Sequence, residues 1–363
     1  MQTSRAHLFL ALSGHGFGHV TQAAPLVNEL RRRCPGLHLT VQTAVPHGLV
    51  GSRIEGPFDY LQEPPDPGVT MANALDVDRA ATVEAYRAFH AGWPGRVARE
   101  VRRLQELDVG IVLADVPYLP LAAASRAGIA AVAVCSLNWA DIVAHYAGEA
   151  PNMAPILAAM RRAYGGADLF LRPEPAMPMP WLRRTAAVGP LASVGQRRRD
   201  EIVALLGCEK GRHLALVTLG GIATSLPLER WPSDPEIHWL MPPGQRPLRE
   251  DMTDFTRLPL PFADLLASVD LLIAKPGYGT FVEAACAGLP TAYVARGDWP
   301  EEPYLCHWLR RHVPSSEIPR DAWQEGAFLP RIRALLGQPV QPAQASGAPE
   351  AADLIQAANL IAG

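Results

Sequence analysis

The sequence predicts an α/β protein of two Rossmann-like domains, each a doubly wound parallel sheet, with a cleft between them. Three observations carry this reading. The chain has 363 residues, enough for two cores of ordinary size. Near its start an apolar run (6–12) enters a Gly-rich turn, Ser13-Gly14-His15-Gly16-Phe17-Gly18-His19, then a helical stretch (about 21–33) and a second apolar run (38–43). The same order of strand, Gly-rich turn, helix and strand returns at 271–274, 276–280, 281–287 and 291–295.

Composition narrows the function. Apolar residues make up 48% and charged residues 19%, the balance of a globular chain. A net charge of −3 argues against a nucleic-acid partner held by a broad basic field. The five cysteines, at 34, 135, 208, 286 and 306, form no C-x-x-C pair, so neither a disulfide framework nor a zinc site is expected. No signal pattern opens the sequence, and no apolar run nears the roughly 20 residues that span a bilayer. The expectation is a cytoplasmic protein with no transmembrane segment and no metal.

Taken in order, the first turn does not suit a dinucleotide. The third glycine of G-x-G-x-x-G falls on His19, and no acidic residue ends the second strand at Thr43-Ala44. A histidine after the first strand of such a domain stands at the carboxyl edge of the sheet, where a base near pKa 6.5 is useful. His15 and His19 are both candidates for that base; the alternative is that both imidazoles merely cap the turn. Residues 45–80 read as loop. Asp76-Val77-Asp78 precedes a helical run expected over 79–107 and suits helix capping better than metal binding. A buried strand then ends at Asp115, followed by a small-residue helix and a strand over 129–135. Ser136, Asn138 and Trp139 follow that strand. After helical residues 140–164 and a strand at 167–171, the proline-dense stretch 172–180 excludes regular structure. A linker is expected near 185–200, giving domains 1–188 and 189–345. A final helix, 346–363, could cross back to domain one. The arginine runs at 31–33 and 197–199 read as solvated helix faces.

The second half restarts with a strand at 214–219 that ends on Gly220-Gly221, and continues with strands near 236–241 and 271–274. Around Gly277, Gly279 and Thr280 the turn offers main-chain N–H groups at a helix N-terminus, a place that favours an anion such as a diphosphate. Glu283 lies one helical turn further and can reach a sugar hydroxyl beside that anion. A plain βαβ turn would use the same glycines.

These residues carry a resemblance. Gly277-Tyr278-Gly279-Thr280-x-x-Glu283, followed by Gly288-Leu289-Pro290, resembles the G-x-(S/T)-x-x-E and G-(V/L)-P donor signature of GT-B glycosyltransferases. Arg296-Gly297-Asp298-x-x-Glu301-Glu302-Pro303 and Gly14-His15-Gly16-Phe17-Gly18-His19 resemble the glycosyltransferase-like N-terminal region of the L-arabinokinases. So do Asp66-x-Gly68 and Ser136-Leu137-Asn138-Trp139. The resemblance covers most of residues 6–307. It implies that Gly220, Gly277, Gly279 and Thr280 hold a diphosphate, Glu283 a ribose, and Glu301 or Glu302 the donor sugar. It also makes His19 the base, with Asp115, 96 residues on, orienting it. Gly16, Ser136, Asn138 and Trp139 would face the acceptor.

The expected activity is therefore transfer of a sugar, with inversion, from a nucleotide-diphosphate sugar to an acceptor the sequence does not name. A UDP-sugar is favoured and no further cofactor is needed. The rival readings are a nucleotide-sugar-binding module without catalysis and a nucleotide-sugar epimerase of the same fold. No kinase-type phosphate loop, G-x-x-x-x-G-K-(S/T), occurs in the sequence. Oligomeric state is left open.

Overall fold

A computed structural model describes residues 6–221 and 226–361. The chain divides into two compact units. Unit 1 is Met1–Ala72, Val77–Leu191 and Ser346–Gly363; unit 2 is Asn73–Asp76 and Ala192–Ala345. Among the described residues no helix is long and apolar enough to cross a membrane.

Unit 1 is built on seven strands: β1 (His7–Leu12), β2 (His38–Thr43), β3 (Asp59–Gln62), β4 (Ile111–Asp115), β5 (Ala130–Val134), β6 (Leu169–Pro173) and β7 (Thr185–Val188). They lie in the order β3-β2-β1-β4-β5-β6-β7, and all pairings are parallel. Strands covered on both faces read as unbroken apolar runs, and β1 and β4 are buried at every position. The order reverses direction at β1 and β4, so the loops leaving their carboxyl ends diverge and open a crevice. Register places Leu12 opposite Asp115 there.

Several boundaries differ from expectation. The first helix is Gly18–Arg33, three residues longer at its start, so His19 stands in its first turn and not on the preceding loop. The expected helix 79–107 is two, Arg79–Ala91 and Trp93–Glu106, broken at Gly92 ahead of Pro94. Residues 140–164 are likewise split, into Trp139–Ala147 and Met153–Gly165. β3 and β7 are edge strands of four residues, too short to show a pattern, and β7 occupies part of the expected linker. Asp78 caps its helix by accepting from the Ala81 N–H at 2.9 Å, while Asp76 pairs with Arg320 at 2.7 Å. The helix Gly347–Ala357 packs on Gly18–Arg33, where Arg33 donates to Asp353, Gln356 and the Pro349 carbonyl.

Unit 2 has six strands: β8 (His213–Thr218), β9 (Ile237–Met241), β10 (Met252–Asp254), β11 (Leu271–Ala274), β12 (Thr291–Tyr293) and β13 (Ser315–Glu317). Their order, β10-β9-β8-β11-β12-β13, is again parallel and reverses at β8 and β11. The three-residue strands β10 and β13 gave no signal in the sequence. The core beneath gathers Trp231, Trp239, Trp323 and Phe328, with Ala74 fully buried among them. The helix Tyr278–Ala287 leaves β11 and buries Phe281 completely, its ring edge-on to Tyr293 at 5.7 Å.

Phe281 anchors the helix that presents the second Gly-rich loop. Phe281→Ala is expected to cost about 3–5 kcal/mol, measured as an earlier urea transition of unit 2, with the transition of unit 1 unmoved.

Candidate active site

The crevice of unit 1 holds a buried histidine–aspartate pair. Asp115, at the end of β4, has no exposed surface. His19 Nδ1 stands 2.9 Å from its Oδ1. A carboxylate only accepts, so Nδ1 carries the proton and Nε2 keeps a lone pair able to take one. Gln22, one turn on from His19, completes the carboxylate. With its amide nitrogen facing Asp115, it donates to both oxygens at 3.1 and 3.2 Å, and its own oxygen accepts from Ser136 Oγ at 3.1 Å. The opposite orientation would set an amide oxygen against a carboxylate.

The surrounding loops are tied to this pair. The Ser13 N–H donates to the Asp115 carbonyl at 3.0 Å. Ser13 Oγ donates to Asp66 Oδ1 at 2.9 Å, and Trp139 Nε1 donates to Asp66 Oδ2 at 2.8 Å. The Trp139 ring is fully buried and lies edge-on to His15 and His19, at 5.3 and 5.8 Å. Burial raises the Asp66 carboxyl above its usual range, opposed by the Ser13 and Trp139 donors and the nearby His19. Gly16 turns the loop with a φ of +78°. Asn138, expected to face an acceptor, instead caps the helix Trp139–Ala147: its side chain accepts from the Asp141 N–H and donates to the Asp141 carboxylate. Cys135 joins His19 and Asp115: its Sγ, an imidazole nitrogen and a carboxylate oxygen lie within 4.8 Å of one another.

The carboxyl edge of the sheet in unit 2 is cationic. Lys275 leaves β11 immediately before Pro276 and donates to the Ala74 carbonyl at 3.2 Å. Burial, and then the Arg296 charge, lower its ammonium to about 7. Arg296 is itself buried, donates to the Pro276 carbonyl at 2.7 Å and lies 4.2 Å from the Trp299 ring centroid. Gly220, after β8, has a φ of +80°, and a Cβ there would meet Lys275 Cε at 3.1 Å. Gly277 precedes the helix Tyr278–Ala287, and a Cβ on it would meet nothing within 4 Å. The first N–H groups of a helix lack partners within it, and Gly279 and Thr280 stand in that first turn. Glu283 is buried one turn further. Glu302 closes its own loop, accepting from the Arg296 and Gly297 N–H groups at 2.9 and 3.2 Å, and Glu301 accepts from Trp299 Nε1 at 3.2 Å. For Glu302 the geometry is therefore that of a loop clasp.

Thus His15, His19, Asp115, Ser136 and Trp139 gather in unit 1, and Gly220, Gly277, Gly279, Thr280 and Glu283 around the β8–β11 crevice of unit 2. Sequence reasoning missed Gln22 and Lys275 and placed Asp66 only through the resemblance of its loop, Asp66-x-Gly68. Lys275 had a signal, a lone lysine ending an apolar strand before Pro-Gly. Gln22 had none beyond its place one turn from His19. Gly220→Ala tests the crowding in unit 2: left-handed backbone strain of about 1–2 kcal/mol is expected, read as a lower melting temperature, together with displacement of Lys275.

No family model matches the chain. An L-arabinokinase of Arabidopsis thaliana is 27% identical over 373 residues, covering 98% of this chain and 35% of the relative, so the chain spans about a third of that protein's length. Among solved structures, the calicheamicin glycosyltransferase CalG4 is similar with a TM-score of 0.61 at 16% identity, covering 98% of both chains. A Polygonum tinctorium UDP-glucosyltransferase that glucosylates indoxyl gives 0.58 at 15% identity, covering 99% of this chain and 94% of its own. MurG of Acinetobacter baumannii gives 0.53 at 17%, covering 97% and 99%. Two parallel sheets of this order, matched over nearly the whole chain, give this protein the GT-B glycosyltransferase fold, with a sequence that resembles one segment of L-arabinokinase.

Proposed function

We propose that this chain is a glycosyltransferase that moves a sugar from a nucleotide-diphosphate donor, UDP-sugar favoured, to an acceptor hydroxyl or similar nucleophile with inversion. The observation that carries the reading is the buried His19–Asp115 pair at 2.9 Å on the carboxyl edge of the sheet. A module that only binds has no use for an imidazole oriented by a desolvated carboxylate. In this reaction His19 Nε2 takes the acceptor proton as the acceptor oxygen bonds to the anomeric carbon. The bond from that carbon to the diphosphate breaks, and the diphosphate leaves with the electron pair. Asp115 stabilises the imidazolium that results. Lys275, Arg296 and the first turn of Tyr278–Ala287 would balance the charge on the leaving group. Glu283 would take the ribose and Glu301 the donor sugar.

A binding module without transfer is the second reading, favoured by the match to a third of a longer enzyme. His19→Ala separates the two. Transfer is expected to fall by about 10²–10⁴-fold while diphosphate binding is kept; full turnover in the variant would sink the mechanism.

Donor binding has two tests. In a melting-temperature panel of UDP, GDP, dTDP, CDP and ADP, one diphosphate, UDP first, should stabilise the protein, and Glu283→Ala should lose that shift. The pH dependence follows from Lys275. Its ammonium in the free protein titrates at about 7, and a bound diphosphate raises that value. Affinity by calorimetry should be highest below about pH 7 and fall as pH rises above it. Lys275→Gln should flatten this slope; an unchanged slope would remove Lys275 from the diphosphate site.

A further inference from the structure

Asp66 is a carboxylate with no part in the transfer just described, yet it is buried and held by several donors. It lies in the loop after β3, and only 5% of it is exposed. It accepts from Ser13 Oγ at 2.9 Å and from Trp139 Nε1 at 2.8 Å, and the Gly68 N–H also points to it. Three donors converging on one buried carboxyl favour its charged form, but burial is the larger effect and leaves the carboxyl above its usual range. Through these bonds Asp66 joins the loops that follow β1, β3 and β5.

The network closes on the histidine pair. Trp139, held at its Nε1 by Asp66, places its ring edge against both imidazoles. Its own N–H donates to Tyr164 Oη at 3.1 Å, and that hydroxyl donates to the Val116 carbonyl at 2.6 Å, next to Asp115. Ser13, the other clamp point, donates its N–H to the Asp115 carbonyl. Gly68 presses on the same place, since a Cβ there would meet His15 Cβ at 3.2 Å, with the backbone at a φ of +59°. A loop that only covered the crevice would have no need to bury an ionised group.

We propose that Asp66 is a positioning residue of this site: it clamps Ser13 and the Trp139 indole so that the indole fixes His15 and His19, and its charge supports the imidazolium that His19 becomes on taking a proton. The role assigned to His19 rests on the proposed transfer; the clamp does not. Asp66 touches neither the acceptor nor the donor in this scheme and acts through Trp139 and His19.

The groups that face Asp66 set what a titration reads. Tyr86, Tyr118 and Tyr164, from the helices and loop packed against it, are raised well above 10 by burial and stay neutral. Asp115 and Cys135 lie beside His19, whose imidazole interacts with the Asp66 charge.

The test is a histidine ¹⁵N NMR titration of the full chain, with His19→Gln to assign the His19 signal. Asp66→Asn keeps the shape and removes the charge, since the amide oxygen can still accept from the indole N–H while the amide N–H donates to Ser13 Oγ. The His19 midpoint should fall by about one pH unit, with a matching shift in the acid limb of the transfer rate and a drop in kcat larger than any change in KM. Should that variant fail to fold, Trp139→Phe carries the test. It deletes the indole N–H, one of the donors that favour the charged carboxylate, and should move the His19 midpoint the same way by about half a unit. A His19 midpoint unmoved in the folded variant overturns the proposal. The titration needs no substrate, so a shifted midpoint without any transfer product would sink the proposed reaction and leave the clamp standing.

Discussion

A carboxylate without exposed surface, Asp115, sets the architecture of unit 1. An ionised group out of water costs several kcal/mol unless it is paired and hydrogen-bonded, so its surroundings must supply donors. His19 and Gln22, one turn apart on one helix, supply them from the side chain, and the Ser13 main chain ties the neighbouring loop to the same residue. That arrangement needs β1 and β4 to be adjacent and in register, with Leu12 opposite Asp115. It also needs the helix to begin at Gly18, early enough to turn His19 inward. The topology, the helix start and the orientation of the imidazole are thus consequences of one charge being satisfied.

Unit 2 solves the converse problem at the equivalent edge. Two cations, Lys275 and Arg296, are drawn under the carboxyl ends of β11 and β12; each donates to a main-chain carbonyl, and Arg296 also pairs with Glu302 at 3.6 Å. Carbonyl dipoles hold a buried cation only in part, which is why the Lys275 ammonium is so far below its usual range. The Lys275 ammonium lies beside a helix N-terminus that favours anions on its own account. Gly220 and Gly277 leave room at that edge, the one by its left-handed backbone beside Lys275, the other by the open space at its Cα. Charge and space together describe a pocket edge suited to a diphosphate.

The two sheets share one winding, reversing at β1/β4 and at β8/β11. The resemblance to L-arabinokinase runs across both units, whereas the structural likeness to glycosyltransferases at 15–17% identity speaks for the fold. Function on such a fold depends on the side chains grafted at the reversal points. Here those are an oriented imidazole in one unit and a cationic, glycine-lined turn in the other.

The sequence by itself determined the long buried strands and the two Gly-rich turns. Apolar runs such as 8–12 and 271–274 and the glycine spacing are local properties, written in consecutive residues. It could not determine the edge strands β3, β7, β10 and β13, which exist only because a neighbour's backbone pairs with them. Nor could it tell that Asn138 caps a helix or that Glu302 clasps its own loop, since both depend on where a backbone N–H comes to rest. Asp66 is the clearest case. Its partners, Ser13 and Trp139, lie 53 and 73 residues away, and only the folding of three loops onto one sheet edge makes it the hub of the site. What a residue is can be read from the chain; what it must balance, a buried charge or an unpaired donor, is set by the neighbours that tertiary structure brings.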